Sequence, residues 1–96
     1  MKHPPKKLQG ILWSSPVEML DLDEHKEYII HQVLMYGTFD DLKWLFKAYS
    51  KAQIKSTFIK NPRKVYSKPG FHYTKNFLLN LNKHQIPAEK YVNSLY

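Results

Sequence analysis

Two sets of residues in this chain have the chemistry to act on another molecule: five histidines and a long block of cations. His25 and His31 are six apart, so on a helix they do not share a face as a metal pair at i, i+4 would. Asp21-Leu22-Asp23-Glu24-His25 is rich in acids. That composition suits the start of a helix, where carboxylates meet the positive end of the dipole, better than it suits a metal site. There is no Gly-rich phosphate loop, nucleophile elbow or zincin motif. Cysteine is absent, so thiolate chemistry and disulfides are excluded. The residues point away from an enzyme, with no catalytic residue, metal or cofactor expected.

The cations say more. Between Asp41 and Glu89 stand ten lysines and arginines and no acid, whereas Pro16 to Asp41 holds seven acids against a single Lys26. A net charge of +7 thus hides an acidic front and a uniformly basic back. Ten like charges on half of a small domain repel one another. A chain that tolerates them is expected to meet a polyanion: nucleic acid first, otherwise an acidic protein surface or an anionic membrane.

These charges need elements to hold them. Ninety-six residues suffice for one domain, expected over 10–96, and 43% apolar residues with 15% aromatic supply a core. Residues 1–9, with Pro4, Pro5, Lys2, Lys6 and Lys7, read as a flexible basic arm with nothing to bury. No apolar run reaches the roughly 18 residues of a membrane span, so a cytoplasmic protein away from membranes is expected.

Ile11-Leu12-Trp13 forms an apolar plug, and Ser15-Pro16-Val17-Glu18 has the layout of a capped turn ending by Leu22. Asp23 is placed to cap a helix over Glu24–Tyr36, with Ile29, Ile30, Val33 and Leu34 on one stripe and Gly37 as its stop. Thr38 with Asp41 opens a helix over Phe39–Tyr49, and Ser50 with Gln53 another to Lys60, ended by Asn61-Pro62. After a basic connector the spacing predicts a helix over Phe71–Leu81 that buries Tyr73, Phe77, Leu78 and Leu81. A last short helix is expected in Ala88–Tyr96. The class is all-α, a compact bundle of about five helices.

The helices over Phe39–Tyr49 and Lys51–Lys60 resemble a helix-turn-helix pair. If the next helix packs through Tyr73, Phe77 and Leu81, its opposite face presents His72, Lys75 and Asn76 to base edges. Lys51, Lys55, Lys60, Arg63, Lys64 and Lys68 would supply phosphate contacts. A second surface is suggested by apolar positions that do not fit their helices. Tyr28 and Met35 lie away from the Ile29/Val33 stripe, and Trp44 lies away from Leu42, Leu45 and Phe46. Together with His31 they form a candidate partner-binding strip, unless neighbouring elements cover them, as Trp13 would by reaching Trp44.

Ile11-Leu12-Trp13-Ser14, Leu20-Asp21-Leu22-Asp23, the run Tyr28 to Gly37, Leu42-Lys43-Trp44-Leu45 and Tyr49-Ser50-Lys51-Ala52-Gln53-Ile54 together resemble a family of small uncharacterised bacterial proteins. Many are encoded beside nucleotidyltransferase-type toxins of the abortive-infection class and are read as antitoxins. The resemblance covers about Gly10–Lys60. It implies a small regulatory protein that binds a toxin partner, and DNA as well through the basic half. The alternative is a stand-alone DNA- or RNA-binding module without a toxin.

Overall fold

Six consecutive residues of the first long helix, Ile29 to Leu34, are all buried. A helix that is covered on every side is a central element rather than a surface one. The computed structural model describes residues 3–93 and places this helix, α1 (Lys26–Tyr36), at the hub. Two further helices, α2 (Phe39–Ala48) and α3 (Lys51–Lys60), each pack against it. A shorter α4 (Lys68–Tyr73) runs without a break into a π-helical turn, Thr74–Leu78. Single 3₁₀ turns occupy Lys6–Leu8, Val17–Met19 and Ala88–Lys90. The fold is all-α, with no strand among the described residues; an isolated parallel bridge joins Tyr66 to Val92. Four α-helices therefore stand among the described residues where about five were expected; there the segment after Pro87 makes a 3₁₀ turn. Its last residues, 94–96, lie outside the described residues, as do Met1 and Lys2 of the N-terminal arm.

Two of the helix starts follow the capping chemistry in the sequence. Thr38 accepts a hydrogen bond from the Asp41 amide while the Asp41 carboxylate accepts one from the Thr38 amide, and Ser50 and Gln53 form the same reciprocal pair. The start of α1 differs. Its N-cap position is His25, whose side chain makes no cap bond, and the Asp23 amide instead donates to Asp21 Oδ1 at 2.8 Å. The His25 amide, one that Asp23 was expected to cap, bonds instead to the Asp21 carbonyl. Gly37 ends α1 with φ −72°, so its role is steric: a Cβ there would lie 2.6 Å from the Val33 carbonyl oxygen.

The N-terminal residues are tied in from Pro4, which is buried, and the Leu8 amide bonds to the Pro5 carbonyl. Leu8 is fully buried, and the Gln9 side-chain amide donates to the carbonyls of Leu12 and Ser15 while its oxygen accepts from the Val17 amide. Leu12, Val17 and Leu20 continue this layer over α1. The expectation of an arm with nothing to bury fails at Pro4 and at Leu8, whose side chains lie outside any periodic run and so gave no signal.

Candidate partner-binding groove

The largest change from expectation lies after Ser67. Ser67 caps α4 by accepting from the Gly70 amide, with Pro69 in the first turn. A Cβ at Gly70 would sit 2.7 Å from the Met35 sulfur, so α4 approaches α1 closely there. At Thr74 the ladder widens: the Leu79 amide bonds to the Thr74 carbonyl and the Leu81 amide to that of Lys75. This inserts extra chain into the helical repeat. The buried positions become Phe71, Thr74, Leu79 and Leu81, instead of Tyr73, Phe77, Leu78 and Leu81. Asn80, at φ 53°, closes the turn in the left-handed region that asparagine tolerates.

With Phe71 and Thr74 facing the core, two aromatic rings point outward. Tyr73 is 54% and Phe77 76% exposed, with ring centroids 5.8 Å apart. Opposite them, α2 presents Phe39, Leu42 and Phe46 at i, i+3, i+7, and Phe39 is 73% exposed. Phe39, Leu42, Phe46, Tyr73 and Leu78 line an open groove of about 350 Å³, with Lys43 and Lys47 on its α2 side. No acidic residue lines it among the described residues. The Lys43 ammonium rests 4.8 Å from the centre of the Phe39 ring, a cation–π contact.

The residues expected to bind a partner are dispersed. His31 is fully buried. Its Nε2 lies 2.7 Å from the Asn61 carbonyl oxygen and its Nδ1 2.7 Å from the Tyr66 hydroxyl. The carbonyl can only accept, so Nε2 carries the proton and donates to it. Nδ1 of the neutral ring then accepts from the tyrosine O–H. Burial lowers the His31 pKa to about 4 against its ordinary 6.5, outweighing the bond to Asn61, which favours the charged ring. Met35 is half-buried under Gly70. Tyr28 is half-buried, its hydroxyl accepting from the Ser14 amide and its ring facing the Arg63 guanidinium at 5.7 Å. Trp44 is half-buried against the core, and Trp13 meets Tyr36 edge-on at 5.3 Å rather than Trp44.

The expected phosphate and base contacts also fall in separate places. Lys51 and Lys60 are exposed and Lys55 half-exposed on α3. Arg63 turns to α1, 3.6 Å from Glu27. Lys64 and Lys68 do come together, beside Ala88, Glu89 and Val92. Lys75 bonds the Asn76 side chain at 3.4 Å and borders a hollow with His84, Pro87 and Glu89. His72 is exposed, with its ring edge-on to Phe71. The face of His72, Lys75 and Asn76 presupposed burial of Tyr73 and Phe77, and their exposure removes that premise. Phe39 carried a readable signal, since it stands three residues before Leu42 on the same stripe. Tyr73 and Phe77 carried none, because at ordinary helical spacing they belong to the core.

No group of three or more metal-binding side chains is assembled among the described residues. No helix among them is long and apolar enough to cross a membrane. Residues 8–58, just over half of the chain, match DUF6922, a family of unknown function, and the chain belongs to that family. No curated protein and no solved structure matches it. The matched stretch carries the α2 wall of the groove, while Tyr73 and Leu78 lie beyond it.

Proposed function

We propose that this DUF6922 protein is a small regulatory protein that acts by binding a partner protein, in the manner of an antitoxin, through the groove between α2 and the π turn. The observation that carries this reading is the exposure of three aromatic rings near one another, Phe39, Tyr73 and Phe77, at a groove; Trp13, 62% exposed, stands apart from them against Tyr36. Exposed aromatic anchors beside cations are the usual makings of a binding hot spot. The sequence resemblance suggests a nucleotidyltransferase-type toxin as the partner. Co-expression with such a toxin encoded beside the gene tests this. The two proteins should co-elute and growth should be restored, and Phe39→Asp with Phe77→Asp should abolish both while leaving the melting temperature nearly unchanged. A complex indifferent to those two substitutions overturns the groove as the binding surface.

A second reading is supported by α3, which holds no acidic residue and exposes Lys51, Gln53, Ser56 and Lys60. With α2 it would form a helix-turn-helix-like pair that meets DNA or RNA. Binding should then weaken with salt at a log–log slope of about −0.9 per phosphate neutralised, and Lys51→Glu with Lys60→Glu should weaken it for all sequences alike. A gel shift without binding at low salt removes this reading.

A further inference from the structure

We infer that the occupant of this groove is a single acidic, amphipathic helix of the partner protein. The inference rests on the partner-binding reading above and adds the chemistry of what is bound. Its first support is shape. Phe39, Leu42 and Phe46 form a ridge at helical spacing on one wall, and Tyr73 with Leu78 forms the other. A second helix laid between two such walls seats apolar side chains at i, i+3 or i+4, and i+7. At about 350 Å³ the groove is at the lower end of the range for binding clefts, enough for a few anchoring side chains. An added strand would need a free sheet edge, and α2 offers none.

Charge is the second support. Lys43 and Lys47 stand one helical turn apart on the groove, and neither has a carboxylate partner among the described residues. Lys43 lies on the Phe39 ring instead, so a carboxylate arriving there replaces a weak contact with a charge-assisted one. Aspartate or glutamate beside the apolar anchors of the incoming helix meets both cations. The same lysines argue against a second copy of this chain. A two-fold contact through the groove would bring Lys43 and Lys47 of both copies together, and like charges at an interface oppose association. A nucleic acid fits less well, because the walls between the two cations are apolar.

The full chain should be screened against a displayed library of random peptides about sixteen residues long, roughly four helical turns. The expected winners carry apolar residues at i, i+3 or i+4, and i+7, flanked by aspartate or glutamate. Phe39→Ala and Tyr73→Ala should each weaken a winner about tenfold or more. Lys43→Glu with Lys47→Glu should do the same at low salt and less at high salt. An absence of enriched peptides overturns the inference, as do winners with neutral or basic flanks. It is equally overturned if a single-stranded oligonucleotide competes for Phe39 and Tyr73, or if the chain alone forms a dimer that Phe39→Ala dissociates. In any of these cases the partner-binding reading still stands if the toxin complex requires Phe39 and Phe77. It falls separately if that complex does not.

Discussion

Two clusters of aromatic rings in this protein, apart from the Trp13–Tyr36 pair, are built on opposite terms. In the first, Phe58, Tyr66, Phe71 and Tyr91 meet with centroids 4.7–6.5 Å apart. Each polar atom there has a partner: the Tyr91 hydroxyl donates to the Phe58 carbonyl, and the Tyr66 hydroxyl to His31. In the second, Phe39 and Tyr73 stand in water on the two walls of a groove, with Phe77 exposed beside Tyr73. The first cluster joins α1 and α3 to the C-terminal stretch and is needed for the fold. The second supplies little to the fold, so its rings are free to serve a partner. Aromatic content alone does not distinguish the two uses; the register of one helix does.

The difference should be largest in stability. Phe58→Ala should cost about 3–5 kcal/mol and Phe77→Ala no more than about 0.5 kcal/mol, read as denaturant midpoints at constant slope. Equal losses would erase the distinction between the clusters.

Acid should act on the closed cluster. His31 is neutral when folded, and its pKa is lowered to about 4 from 6.5, so between those values the unfolded chain binds the extra proton. The stabilisation from the neutral ring is complete above pH 6.5 and is lost as the pH falls towards about 4. The gap corresponds to about 3 kcal/mol at the acid limit. A protonated ring would donate from both nitrogens and leave the Tyr66 hydroxyl hydrogen without its acceptor. His31→Leu should flatten this part of the pH profile in urea titrations, while lowering the plateau because Tyr66 and Asn61 lose their partner. An unchanged profile would mean that His31 is not the group that titrates.

The smallest effect is at the junction of the two clusters. The Thr74 hydroxyl is buried without a hydrogen-bond partner where the π turn begins. Thr74→Val should therefore raise stability, by about 1 kcal/mol, with the groove intact. A loss on substitution would show that the hydroxyl is satisfied in solution.

These same elements mark how far the sequence could be read. The starts of α2 and α3 were legible because Thr38–Asp41 and Ser50–Gln53 are local pairs whose geometry depends on nothing distant. Asp23 offered the same signal, but neighbouring Asp21 accepts its amide and the turns that follow delay the helix to Lys26. His31 looked like a surface residue because helical spacing cannot reveal that a stripe's far side is covered by Tyr66 and Asn61, thirty or more positions away. The groove was illegible for a related reason. Tyr73, Phe77 and Leu81 stand at helical spacing and so read as core, whereas the helix buries Phe71 and Thr74 and the π turn then changes the period to Leu79 and Leu81.

The bridge between Tyr66 and Val92 has one more consequence. The Tyr66 amide donates to the Tyr91 carbonyl, and the Asn93 amide to that of Tyr66, so the C-terminal stretch is clasped onto the body by backbone bonds between residues far apart in the chain. Tyr66 and Tyr91 are also the two largest fully buried side chains, so this clasp has no loose edge from which to open alone. The Tyr66 and Asn93 amides that close it should exchange only on global unfolding, as slowly as those at the centre of α1.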